Sequence, residues 1–465
     1  MTGGGGRVKH IVVVGGGIAG LTAAYLLAQD PDSEVILLEG SPQVGGKLRL
    51  ASVGGVSVDV GAEAMLSRRP EGVALARELD LPVVHPVAAS SQLWTRDALR
   101  PLPRSVMGVP LDLDALARSG TLSEAGLERV RAEPSLPPTE LVDDVSVGEL
   151  VGARLGEEVV DRLVEPLLGG VYAGHARELS ARATTPQLVA MLDRGSLVEA
   201  AAALPASNEP VFAGIPGGLG VLPAVLGGSG RFTVRTDATV REMRRSADGF
   251  ELVVGATREA EPVRADRIVL ATPAAPTARL LGDLAPAAAA ELAAIEYASM
   301  AVVTLAFSAA SLAGLGETRS SGFLVPPVDG RRIKASTFSF AKWRWVREGG
   351  RGALDGQDVL VLRTSIGRHR EEASLQATDE ELVATSVSDL AAATGERAHP
   401  VDSQVQRWGG GLPQYAVGHL DRVARIRSSV ATVPGLAVCG AAYDGVGIPA
   451  VIASAYLAAD SLRWD

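Results

Sequence analysis

Residues 10–47 read HIVVVGGGIAGLTAAYLLAQDPDSEVILLEGSPQVGGK. Ile11–Val14 is a short β-branched run that suits a buried parallel strand. Gly15, Gly17 and Gly20 follow at G-x-G-x-x-G spacing, with Gly16, Ile18 and Ala19 between them. Gly15 permits a tight turn, Gly17 lets a pyrophosphate approach the backbone, and Gly20 lets helix and strand pack closely. Leu21–Ala28 reads as a helix whose N-terminus faces the phosphates. Val35–Leu38 is a second strand, and Glu39 ends it about 20 residues on, where a carboxylate grips a ribose through its hydroxyls. Strand, glycines, helix, strand and terminal acid in this order are far more specific than the glycines alone.

A second glycine pair and a base, Gly45-Gly46-Lys47, follow the acid. In this it resembles FAD-binding chains of the glutathione-reductase type, and Gly40, Gly46 and Lys47 join the expected cofactor contacts.

The chain has 465 residues, enough for two or three domains. Apolar residues make up 47% and aromatic ones 4%, so alanine, leucine and valine must fill the cores. The net charge of −10 and the lack of a Lys/Arg-rich run set nucleic acid aside. Positive charge for an anionic ligand must then come from a few placed side chains. One cysteine, Cys439, excludes an intramolecular disulfide and fits a reducing cytoplasm. The six histidines are scattered without ligand spacing, so no metal is expected. No segment reads as membrane-spanning, because glycines interrupt Ile11–Ala28. Thr2–His10 lacks the apolar centre of a signal peptide. Gly3–Gly6 reads as an unordered tail.

Along the chain, a hairpin is expected at Gly54-Gly55, leading into Gly61-Ala62-Glu63-Ala64, a turn placed back at the cofactor. Arg231–Arg235, Thr239–Met243 and Phe250–Val254 read as a meander, with Val240 near the nucleotide. Gly169–Gly174 reads as a tight bend beside a ligand. At the C-terminus Leu436–Cys439 is a strand. The loop Gly440–Gly447, with Val446, opens a helix at Ile448-Pro449. The division expected is a cofactor domain in three pieces (1–95, 205–275 and 405–465), a helical insertion at 96–204, and a second α/β domain at 276–404.

Four separated stretches carry a closer resemblance: EPLLGGVYAGHARELSARATTPQL (165–188), FAGIPGGLGVLP (212–223), RWGGGLPQYAVGHLDRV (407–423) and CGAAYDGVGIPAVI (439–452). Together they resemble the oxygen-dependent protoporphyrinogen and coproporphyrinogen oxidases of haem biosynthesis, over essentially the whole chain. The resemblance implies an α/β fold: a glutathione-reductase-type, Rossmann-like FAD domain, a mixed-sheet substrate domain, and a helical insertion of the kind that docks on membranes in some relatives. It implies FAD, a porphyrinogen that gives up electron pairs in succession, molecular oxygen as acceptor, and hydrogen peroxide as product. Trp408 joins the cofactor contacts, and a transient contact with the next haem-pathway enzyme is implied. Where several eukaryotic members have an arginine, this chain has Glu63, as the soluble coproporphyrinogen branch tends to. That leaves Arg68, Arg69 and Val171 as substrate-positioning candidates and no assigned acid–base residue. Lys342-Trp343 resembles a family motif, but Arg344-Trp345 departs from it, so no role is assigned there. The competing readings are protoporphyrinogen oxidation, an amine oxidase or carotenoid desaturase, and a non-catalytic binding protein of the same fold.

Overall fold

The computed structural model describes residues 8–88, 90–205 and 209–463. The run Gly3–Gly6 lies outside them.

Five parallel strands form the first sheet, in the order Thr233–Arg235, Ser33–Leu38, Lys9–Val14, Arg267–Leu270 and Leu436–Val438. Alternate side chains of these strands enter different cores. Ile11, Val13, Leu37, Val269 and Ala437 pack with helices Ile18–Leu27 and Ile448–Ser461. Val12, Val14, Leu38, Ile268 and Leu270 pack on the other face, with helices Ala274–Leu281, Pro286–Ala293 and His419–Val430. Burial on both faces explains why these strands read as continuous apolar runs. Thr233–Arg235 joins this sheet and not the expected meander. The meander is Val240–Ser246, Gly249–Val254 and Glu261–Ala265.

A seven-stranded mixed sheet runs Asp402–Pro413, Tyr297–Ser308, Val359–Ile366, Ile333–Thr337, Ser320–Leu324, Ser90–Thr95 and Ala98–Pro101. It takes in segments on both sides of the boundaries drawn at 95/96 and 404/405. Sheet membership depends on pairing between distant segments, which local composition does not register. Helix Asp379–Thr394 starts at a capping box of Thr378 and Glu381 and covers one face, with Thr364 Oγ1 2.7 Å from Ser386 Oγ. On the opposite face Leu324, Ala335, Thr337, Arg363 and Ser365 stand in register and are only half-buried. This interior face, with mostly small and polar side chains, is left incompletely covered.

Between Leu113 and Ala202 a bundle of short helices forms its own core around Leu116, Leu150, Leu163, Leu168 and Leu188. Arg154 donates to Glu133 in a buried pair that also accepts from Leu197 N at 3.0 Å, so both charges are compensated. Among the described residues no helix is long and apolar enough to cross a membrane.

Candidate flavin site

The glycine turn has the shape its spacing predicts. Gly15 lies at φ +106°, where its missing side chain leaves room for the carbonyl of Ala271. A Cβ on Gly20 would stand 1.9 Å from Gly15 O. Gly17 differs: its backbone is ordinary (φ −72°, ψ 176°), and a Cβ there would meet nothing within 4 Å. Glycine is needed at 17 for the open space before the helix, not for its backbone angles. Glu39 accepts from Gly16 N at 2.6 Å and from Ser41 N at 2.8 Å, which fixes its carboxylate at the mouth of the turn. Gly40 lies against Thr239 and Ala238 N donates to Glu39 O, so Val240 starts its strand beside this acid.

Helix Ile18–Leu27 has no side-chain cap, and neither has helix Ile448–Ser461, whose N-cap is Gly447. The two helices pack against each other. Two uncapped N-termini leave backbone N–H groups and two partial positive ends for an anion. Lys47 adds a full charge. It follows Gly46, whose added Cβ would lie 3.3 Å from Gly17 Cα. Burial alone lowers its pKa, and among the described residues no carboxylate or carbonyl accepts from its ammonium. A partly buried cation without a partner favours the arrival of an anion. These features fit a pyrophosphate-bearing group.

The C-terminal loop completes this end. Gly440, buried and at φ +124°, also faces space that a Cβ would not contest. Its N–H donates to Ser454 Oγ at 2.9 Å. Tyr415 holds the loop from behind: its hydroxyl donates to Ala441 O at 2.6 Å and accepts from Gly445 N at 2.8 Å. His419 stacks on the Tyr415 ring at 3.8 Å, and burial pushes its pKa down to about 4. Sequence reasoning did not single out Tyr415 or His419. Their aromatic-plus-loop pattern has no fixed spacing.

The turn at 59–64 lies against Lys47. Ala62 N donates to Lys47 O at 3.1 Å, and Trp408 Nε1 donates to Val60 O at 3.1 Å. A Cβ on Gly61 would stand 2.0 Å from Lys47 O. Glu63 departs from expectation as a cofactor contact. Its side chain is taken by Lys342 Nζ at 2.8 Å, Arg363 Nε at 3.1 Å and Ser339 Oγ at 3.0 Å, so only its backbone is available to a cofactor. Burial favours its protonated form, but Arg363 and Lys342 outweigh this and hold the carboxyl at about 2. Lys342 thus has the role the sequence left blank, and Trp343 is buried under Gly214. Burial pushes Asp59 up to about 7, though it accepts from Leu219 N and Gly220 N at 2.9 and 3.0 Å.

The segment expected as a bend is a helix, Glu165–Tyr172, and the chain turns only at Ala173 (φ 49°). A π turn, Val160–Val164, leads directly into that helix, and burial of Leu168 and Tyr172 holds the glycine pair in it. This helix lies over the open sheet face, where an added Cβ on Gly170 would sit 3.6 Å from Leu324 Cδ2. Gly169 is buried, yet a Cβ there would meet nothing within 4 Å, which marks a void. Val171 is 46% exposed on the same helix. Arg69 pairs with Glu71 at 3.1 Å and occupies the N-cap position of helix Pro70–Glu78 without a side-chain cap, while Arg68 is exposed. Cys439 is fully buried, which pushes its thiol up to about 12.

Residues 18–463 match the family of flavin-containing amine oxidoreductases. The Mycobacterium tuberculosis coproporphyrinogen III oxidase is 39% identical over 98% of this chain and 97% of its own. The chain belongs to the coproporphyrinogen III oxidase family of flavin-containing amine oxidoreductases. The Bacillus subtilis coproporphyrinogen III oxidase is 29% identical over 95% of each chain. A crystal structure from Exiguobacterium sp. 255-15, provisionally named a protoporphyrinogen oxidase, superposes with TM-score 0.84 at 30% identity and 98% coverage of both chains. The cyclohexylamine oxidase of Brevibacterium oxydans shares the fold alone, at TM-score 0.69 and 16% identity. The chain is therefore a flavin-binding oxidoreductase, and its likeness to cyclohexylamine oxidase shows the fold alone.

Proposed function

We propose that the protein oxidises coproporphyrinogen III to coproporphyrin III with FAD as cofactor and molecular oxygen as acceptor. What supports it most directly is the 39% identity, over nearly the whole chain, to a coproporphyrinogen III oxidase, together with uncapped helix N-termini and a partnerless Lys47 that fit a pyrophosphate-bearing flavin. The half-buried sheet face beneath helix Glu165–Tyr172, with the void beside Gly169, is the candidate place for the macrocycle. FAD, when bound, supplies the acceptor for the electrons and hydrogen leaving the macrocycle.

The remaining work belongs to the chain. Glu39 and the strand start at Val240 position the adenosine end. The N-termini at Gly17 and Gly447, with Lys47, hold the diphosphate. The turn Gly61–Ala64 and the loop held by Tyr415 fix the reactive end. Helix Glu165–Tyr172 excludes water and orients the ring. Arg68 is the exposed cation offered to a propionate. Arg69 can serve the same way by exchanging its partner Glu71. The flavin is held non-covalently, a reading supported by the buried, protonated Cys439.

The test is a side-by-side assay with coproporphyrinogen III and protoporphyrinogen IX, reading porphyrin fluorescence and oxygen uptake. Faster oxidation of the four-propionate substrate is expected. A preference for protoporphyrinogen IX overturns the branch, and a colourless protein that takes up no FAD overturns the catalytic reading.

A further inference from the structure

We propose that the buried cluster of Glu63, Lys342 and Arg363 tunes the reduction potential of the flavin. The proposal rests on FAD being the cofactor. Lys342 and Arg363 come from the substrate domain, and both converge on one carboxylate of the cofactor-domain turn, at 2.8 and 3.1 Å. Arg363 reaches further into that turn. Its Nη1 donates to Gly61 O at 2.6 Å and to Asp59 O at 3.2 Å. The turn is in turn fastened to Lys47, next to the phosphate cradle.

Two cations face one anion, so the cluster carries an excess positive charge. Asp59 is the other titratable group in reach; burial keeps its carboxyl protonated below about pH 7. The side chains of Lys342, Arg363 and Glu63 are only 13%, 16% and 5% exposed, so water screens them weakly. A flavin that accepts two electrons and one proton becomes an anion. Positive charge held beside it lowers the free energy of that reduced form relative to the neutral oxidised one. Lys342 and Arg363 are positioning residues in this role. They act through field and turn geometry, without touching the reacting atoms. Arg363 also stands on the half-buried sheet face, so one side chain joins that face to the cofactor turn.

Charge substitutions separate this role from simple scaffolding, because scaffolding has no sign. The midpoint potential of the FAD-loaded protein is measured by dye equilibration, without substrate, alongside FAD occupancy and Tm. Lys342→Met removes a positive charge and should lower the potential. Glu63→Gln removes the negative charge and should raise it. Lys342→Arg keeps the charge and should leave the potential near wild type. Opposite shifts for Lys342→Met and Glu63→Gln support the proposal. Unchanged potentials, or shifts of one sign, overturn it. If Glu63→Gln does not fold, the Met and Arg variants at 342 decide: equal potentials in the two overturn the proposal. Failure to bind FAD in the wild-type protein would overturn the cofactor reading instead, and is seen before any potential is measured.

Discussion

Lys47→Met should weaken FAD binding and at the same time stabilise the protein without FAD. The fold strips this ammonium of much of its hydration and supplies no counter-charge among the described residues, so burial lowers its pKa. A lysine whose folded pKa lies below its unfolded value of about 10.4 costs stability while it is protonated. That cost is fully present below the folded pKa and fades as pH rises toward the unfolded value. At pH 7.5 the FAD-free variant should therefore melt at a higher temperature than wild type, and the gap should narrow toward pH 10. With FAD present the balance reverses. A charge-assisted contact to a phosphate is worth roughly 1.5–3 kcal/mol, so Kd should rise about 10- to 150-fold. Binding should survive at this reduced level, because each helix N-terminus still contributes on the order of 0.3–2 kcal/mol. Thermal melts of FAD-free protein across pH, with fluorescence titration of FAD, read both effects. An unchanged Kd, or a lower Tm for the FAD-free variant at pH 7.5, refutes the reasoning.

Gly17→Val should fold normally, since its backbone angles suit any residue, yet lose FAD because the side chain fills the open cradle; a normal flavin-to-protein absorbance ratio would count against the cradle. Tyr415→Phe should raise the FAD dissociation rate, as Ala441 O and Gly445 N each lose a partner at a cost of about 1–3 kcal/mol shared between loop order and stability; stopped-flow release indistinguishable from wild type removes Tyr415 from that role. His419 stays neutral in the fold down to about pH 4, whereas an unfolded histidine protonates near 6.5. Its contribution is neutral above pH 6.5 and turns unfavourable as pH falls from there to about 4. His419→Phe should flatten the acid side of the stability curve, and an undiminished slope in urea melts between pH 6.5 and 4 contradicts this assignment.

Local chemistry was legible in the sequence, and its limits follow from what spacing encodes. Gly15, Gly20 and Glu39 could be placed because a tight turn, a close helix contact and a strand-ending acid each impose a residue type at a short, fixed offset. Gly447 and Pro449 were placed by the same logic at the second helix start. Gly169–Gly174 was misread because glycine lowers helix propensity by only about 1 kcal/mol, which burial of Leu168 and Tyr172 overrides. Strands Ser90–Thr95 and Asp402–Pro413 were assigned outside the mixed sheet because pairing with Ser320–Leu324 and Tyr297–Ser308, far off along the chain, leaves no local mark.

Glu63 shows the same limit at a functional position. Its neighbours in sequence suggest a cofactor turn, and its backbone does lie on that turn. Nothing within that stretch announces Lys342 or Arg363, which reach it across 279 residues in the first case. A carboxylate 5% exposed in its side chain must find cations somewhere in the fold. Physical chemistry therefore predicts that a partner exists, while only the three-dimensional arrangement says which. Glu63 puts a negative charge on the turn, and Lys342 and Arg363 answer it with two cations. Both cations come from segments 279 and 302 residues along the chain from the turn, and Arg363 joins the half-buried sheet face to that turn.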